Sequence, residues 1–322
     1  MKNSCEPKET CAGVVGLGLM GSSIVVSLLI SGHEVKAIAP LEDDMKLGSL
    51  HIEEQLKQCL NFGLLDKPVA SYLSQLTVSD NYMHLEGCSF VLECVTEILT
   101  IKREVYEKIL SVTSEDTIIA SNTSAIPISM LQQYITHPGR FLGVHWGEPA
   151  YMSRFLEIIC GSKTDLRNAE WVFNLSKCWG KEPTLLRKDI RGFVTNRLMY
   201  AIYREALHLV ENGEATMEDT DKAFKYDAGS WITLMGIFRR MDFVGLKDAE
   251  EIFKNIFPKL SNATGVPECM KEMVKLKARG TKTLKGLYEY SPAEAKKWEA
   301  EFALFSKDIF ELAASYPCDT VE

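Results

Sequence analysis

Apolar residues fall along this chain in two rhythms, and the change from one to the other divides it. Short, mostly apolar runs at residues 13–15, 34–39, 76–78, 89–95 and 117–121 have the length and composition of strands covered on both faces. Between them, residues 19–30, 45–65, 68–76 and 99–112 repeat apolar positions at helical spacing. In the second of these, Ile52, Leu56 and Cys59 share one face, and Glu53, Glu54 and Lys57 lie on the other. Strand and helix in alternation predict a parallel sheet with helices on both sides. The helical pair at about 45–76 is larger than a simple crossover needs and reads as an insertion. Runs at 140–146 and 154–161, joined by a loop with Gly147 and Pro149, suit an antiparallel pair, with a helix at 170–178 and a last strand at 182–186 following. Residues 188–190 read as a hinge. Beyond them the pattern is helical throughout, at 192–212, 217–224, 230–240, 242–256, 270–278 and 293–314. The expected architecture is an α/β, Rossmann-like N-terminal domain over 1–188 and an all-α C-terminal domain over 189–322.

The first strand runs into Gly16-Leu17-Gly18-Leu19-Met20-Gly21, spelling G-x-G-x-x-G between a strand and a helix. In a dinucleotide site the first glycine permits a tight turn, the second lets backbone approach a pyrophosphate, and the third lets helix and strand pack closely. The helix N-terminus then presents N–H groups, here those following Gly18 and including Leu19 and Met20, to the phosphate charge. The acid that binds a ribose hydroxyl is expected at the end of the second strand, where Ala39 stands instead. Glu42, Asp43 and Asp44 come slightly late and suit the first turn of the next helix. No arginine stands nearby to hold a 2′-phosphate, so NAD is favoured over NADP.

Composition narrows the class. The formal net charge of −8 argues against a nucleic-acid-binding surface. Nine cysteines are scattered without a C-x-x-C pair, so neither a disulfide framework nor a metal site is expected. No apolar stretch is long and uncharged enough to span a bilayer, and residues 1–9 are polar rather than signal-like. These features predict a soluble cytoplasmic protein that is not associated with a membrane.

Chemistry gathers where the later strands end. Ser124 follows the fifth strand, His145 closes the next, and an antiparallel return brings Glu157 beside His145. A carboxylate on one imidazole nitrogen fixes the tautomer and leaves the other nitrogen as a general base. Asn196 opens the first C-terminal helix, where a capping role is the plainer reading of that residue alone.

Together these residues resemble the L-3-hydroxyacyl-CoA dehydrogenases over almost the whole chain. The matching pieces are the glycine turn; Glu93-Cys94-Val95-Thr96-Glu97 with Lys102; Ala120-Ser121-Asn122-Thr123-Ser124; Gly143-Val144-His145 with Pro149 and Phe155-Leu156-Glu157; Gly192-Phe193-Val194-Thr195-Asn196-Arg197; and Gly286-Leu287-Tyr288. The resemblance implies NAD-dependent interconversion of an L-3-hydroxyacyl-CoA and a 3-ketoacyl-CoA, with His145 as base, Glu157 orienting it, and Ser124 and Asn196 on the substrate oxygens. It also implies cofactor contacts from Gly16, Gly18, Leu19, Met20, Gly21, Glu97, Lys102 and Asn122, and a homodimer formed through the helical domain. Departures include Ala39, Ile98, and His145-Trp146-Gly147-Glu148-Pro149, where Glu148 adds a carboxylate three residues from the base. The inserted helices carry few cations for CoA, chiefly Lys46 and Lys57, and Tyr151 is reminiscent of relatives acting on free hydroxy acids such as gulonate or carnitine. A dehydrogenase of a free small 3-hydroxy acid, or a homologue keeping the fold without the chemistry, are the alternatives.

Overall fold

The computed structural model describes residues 6–316; Cys5, Cys318 and the outer ends of the two expected domains lie outside them. By its internal packing the chain divides into a unit that runs to Phe193 and one that begins at Val194.

In the first unit, β1 (Ala12–Val15), β2 (Val35–Ile38), β3 (Leu76–Ser79), β4 (Phe90–Glu93), β5 (Ile118–Ser121), β6 (Phe141–Trp146), β7 (Phe155–Cys160) and β8 (Glu182–Leu186) form one sheet in the order β3-β2-β1-β4-β5-β6-β7-β8. β1, β4 and β5 are buried at every position, which explains their continuous apolar runs. All neighbours pair in parallel except β6 and β7. Parallel neighbours need crossovers. These are α1 (Leu19–Ile30), then α2 (Glu42–Asn61) with α3 (Val69–Leu73), α4 (Leu99–Val112), the short α5 (Ile128–Leu131), and α6 (Leu166–Lys177). One core cluster gathers Ile24, Val25 and Leu28 of α1 with Trp146 and Trp179; the other gathers Tyr106, Ile109, Phe141 and Phe193. α2 packs against the turn after β1, where a Cβ on Gly48 would stand 2.6 Å from the Cβ of Leu17. The second helix expected at 68–76 shrinks to the five residues of α3, because the chain enters β3 at Leu76. α6 starts four residues earlier than its apolar pattern suggests, because Asp165 caps it by accepting from the Arg167 N–H at 3.0 Å.

The second unit comprises α7 (Thr195–Glu211), α8 (Met217–Tyr226), α9 (Ala228–Val244), α10 (Leu246–Ile256), α11 (Glu268–Lys275) and α12 (Pro292–Ala314). A capping box at Ser291 and Glu294 sets the start of α12. The break expected near residue 241 falls instead at Gly245, with φ 108°, while Gly236, with φ 67°, bends α9. The unit is not purely helical: isolated bridges join Gly280 to Lys285 and Lys285 to Glu289.

The approach of α1 to β1 sets a sharp test. A Cβ on Gly21 would lie 1.8 Å from the Gly16 carbonyl oxygen. Gly21→Ala gains about 1 kcal/mol of helix propensity but forces backbone apart at roughly 3 kcal/mol. A net loss of stability is expected as a lowered urea midpoint; an unchanged midpoint would show that α1 can move freely away from β1.

Candidate active site

The three glycines of the turn after β1 serve three different needs. Gly16 has φ 99°, a left-handed conformation in which a side chain is strained, and its Cβ would also stand 2.9 Å from the Cys94 carbonyl carbon. Gly21 allows the close packing described above. At Gly18 a Cβ would meet no protein atom within 4 Å, so nothing in the fold asks for glycine there. That open, exposed position at the α1 N-terminus is what backbone approaching a pyrophosphate requires. α1 has no side-chain cap and no acid in its first turn, leaving its positive end available to an anion. Leu19 is exposed and Met20 half-buried on that first turn. The residues present therefore fit a dinucleotide. Ala39, at the end of β2, is fully buried, and its N–H donates to the Ser79 carbonyl at 2.9 Å. Glu42, Asp43 and Asp44 open α2.

Beside this turn, β4 ends in Glu93, a carboxylate with no solvent exposure. Lys102 Nζ reaches Glu93 Oε1 at 2.7 Å, and the Val95 N–H donates to the same oxygen at 2.8 Å. Tyr106 and Ser121 hydroxyls donate to Oε2 at 2.7 and 2.8 Å. Burial pushes the Tyr106 phenol well up, so it acts as a neutral donor. Lys102, only 1% exposed, also pairs with Glu97 Oε2 at 3.3 Å, and Glu97 Oε1 accepts from the Ser124 N–H at 2.8 Å. Lys102 thus faces inward, and its charge positions Glu97 at the loop after β5. Glu93 and Ser121 lie within the segments that carry the family resemblance, but no role for them, or for Tyr106, is read from the sequence. The available signal was a lone carboxylate closing an otherwise apolar strand.

Asn122 follows β5, and its Oδ1 accepts from the Trp146 N–H at 3.0 Å, tying the end of β5 to the peptide beside His145. The β6–β7 register sets His145 directly opposite Glu157, and Nδ1 lies 2.9 Å from Glu157 Oε2. Glu157 is fully buried and His145 is 9% exposed. Phe155 stands edge-on to the imidazole at 5.4 Å between centroids, and Phe193 lies at 5.7 Å. Ser124 is exposed at the same end of the sheet. Asn196 is the second residue of α7, in the second unit. Glu148 is exposed on the β6–β7 loop.

That loop is clamped from beneath. Ala150 N–H donates to Ser23 Oγ of α1 at 2.8 Å, Tyr151 OH to Gln58 of α2 at 2.9 Å, and Lys181 Nζ to the carbonyls of Ala150 and Ser153. Lys181 also lies 5.0 Å from the centre of the Trp146 ring. Nothing in the sequence marks this lysine, which precedes β8 between Gly180 and Glu182.

A glycine turn fitted to a dinucleotide, with an imidazole–carboxylate pair at the same end of the sheet, defines a nicotinamide-dependent oxidoreductase. The chain belongs to the 3-hydroxyacyl-CoA dehydrogenase family: the model of the family's NAD binding domain matches residues 11–190, and that of its C-terminal domain matches 192–290. It is an NAD-dependent oxidoreductase acting on a hydroxy group. It is 32% identical over 292 residues to a 5-formyl-3-hydroxy-2-methylpyridine 4-carboxylate 5-dehydrogenase of Mesorhizobium japonicum, covering 90% of this chain and 94% of the relative. A crystal structure of an enzyme of that name, described as an NAD+ dependent dismutase, superposes with a TM-score of 0.88 at 29% identity over 95% of this chain and 99% of that one. The mitochondrial hydroxyacyl-coenzyme A dehydrogenase of Rattus norvegicus is 32% identical over 287 residues, covering 86% of this chain and 90% of the relative. These comparisons overturn the cytoplasmic expectation, since the rat, pig, mouse and human relatives are all mitochondrial. A polar opening and the lack of an apolar span do not specify a compartment.

Two measurements test the buried charges. Lys102→Met leaves the Glu93 carboxylate without its counter-charge and is expected to cost about 3–5 kcal/mol of stability. Adding Glu93→Gln should recover part of it, and equal stability of wild type and single variant would show that the pair is not coupled. Burial, reinforced by Arg154, pushes the Lys181 ammonium down to about 7. The unfolded chain keeps that proton to about 10.4. The stability penalty is therefore complete below the folded value and is relieved as pH rises across this window. Urea midpoints at about pH 6.5 and 9 should show wild type gaining more stability with pH than Lys181→Met; parallel curves would refute the assignment.

Proposed function

We propose that this protein interconverts a small free hydroxy acid and its oxo form, with NAD, rather than a CoA thioester. The observation that carries this is the likeness over 95% of the chain to an enzyme named for a small pyridine carboxylate. The insertion supports it: Lys57, one of its few cations, is paired with Glu53 at 2.6 Å. The Gly16–Gly21 turn, with Leu19 and Met20 at the helix start, holds the pyrophosphate. Asn122 and Glu97, the latter positioned by Lys102, hold the nicotinamide-ribose side. NAD supplies the hydride acceptor. His145 Nδ1–H donates to Glu157, so Nε2 takes the hydroxyl proton of the substrate, and Glu157 stabilises the imidazolium. Ser124 and Asn196 hydrogen-bond the substrate oxygens. The second unit serves substrate closure and homodimer formation. In support, α7, α8 and α9 bury no residue within the chain, and Phe238 is 80% exposed.

Family membership and the hydroxyacyl-coenzyme A relatives favour a second reading, an acyl-CoA substrate. Turnover of free small hydroxy acids, including aromatic ones, should exceed that of 3-hydroxybutyryl-CoA in kcat/KM by roughly tenfold or more, a difference of about 1.4 kcal/mol in transition-state binding. The reverse order would select the thioester. His145→Gln should lower kcat by about 10²–10⁴ while leaving NAD affinity intact. Undiminished turnover would remove His145 from the chemistry under either reading.

A further inference from the structure

At the end of the sheet opposite the glycine turn, Cys11 immediately precedes β1 and Cys88 lies two residues before β4. β1 and β4 are hydrogen-bonded neighbours, with Ala12 paired to Phe90, and the Ser89 N–H donates to the Cys11 carbonyl at 3.1 Å. The two sulfurs stand 3.1 Å apart. That is about 1 Å beyond a formed disulfide bond, on two neighbouring strands already joined by hydrogen bonds. Cys11 is partly exposed and Cys88 is buried. We propose that Cys11 and Cys88 are a reversible dithiol–disulfide pair that responds to peroxide and staples the first strand to the fourth.

The two sulfurs have distinct parts. The hydrogen bond with Cys88 holds the Cys11 thiol below its ordinary range; Lys36 acts in the same direction, against burial and Glu34. That hydrogen bond, with burial, pushes Cys88 up. Lys36 and Glu34, which form an ion pair at 2.5 Å, are the charged groups acting on both sulfurs. Cys11, being the more acidic and the more accessible, is the attacking thiolate. It attacks one oxygen of hydrogen peroxide, the O–O bond breaks, and hydroxide leaves, giving Cys11–SOH. The Cys88 sulfur then attacks the Cys11 sulfur, the S–O bond breaks as the S–S bond forms, and the Cys88 proton leaves with the hydroxyl as water. The two thiols lose two electrons and one peroxide gains them.

The test uses the full-length protein, as wild type and as Cys5→Ser, exposed to hydrogen peroxide, denatured, alkylated with N-ethylmaleimide and digested. The expected product is a Cys11–Cys88 linked peptide, two hydrogens lighter than its parts and released by dithiothreitol. Oxidation should raise Tm by on the order of 5–10 °C, reversibly, because the linkage constrains a long loop of the unfolded chain. Cys88→Ser should instead accumulate Cys11 sulfenic acid trapped by dimedone, with no rise in Tm. Alkylation of both cysteines after peroxide, or linkage of Cys11 to a different cysteine, would overturn the proposal.

Discussion

A carboxylate without access to water sits at the end of the central strand, and its surroundings are built to satisfy it. Glu93 receives an ammonium, two hydroxyls and a backbone N–H from α4, β5 and the turn after β4. A buried charge left short of partners is costly, and well-packed apolar residues of similar volume often stabilise such a position better. Its return here is geometric. The same Lys102 that neutralises Glu93 reaches on to Glu97, which grips the backbone at Ser124. One buried ion pair thereby fixes the loops after β4 and β5 beside the glycine turn.

The His145–Glu157 pair depends on a change of direction. Every other pair in the sheet is parallel, but β7 runs back along β6 and places Glu157 opposite His145 on one face. A one-residue slip would move Glu157 to the opposite face and break the pair. The loop between the strands is held against this by Ser23, Gln58 and Lys181, which come from α1, α2 and the approach to β8.

Much of this was legible in the sequence because it rests on local periodicity. Short, fully buried strands leave continuous apolar runs, and the ends of α4 and β8 follow from pattern alone. The glycine turn and the His145–Glu157 pair were legible because each lies within one short segment or one hairpin. The Glu93 cluster was not, since its partners come from residues 9, 13 and 28 positions away and only the packed sheet collects them. The Lys181 clamp was hidden for the same reason. The boundary between α9 and α10 was misplaced because Gly236 and Gly245 both depart from helical geometry, one as a bend and one as a break.

The imidazole–carboxylate pair and the glycine turn with its neighbouring strand also differ in how much chain must be brought together to make them. His145 and Glu157 are 12 residues apart, whereas β1 pairs with β4 through Val15 and Glu93, 78 positions from one another. Closing the longer loop costs about 1.7 kcal/mol more chain entropy. The hairpin carrying the imidazole–carboxylate pair can therefore form while the dinucleotide cradle is still open, and the cradle closes only when the long-range pairing is made. For a newly made chain, retention of the cofactor is a stricter sign of complete folding than an intact imidazole–carboxylate pair.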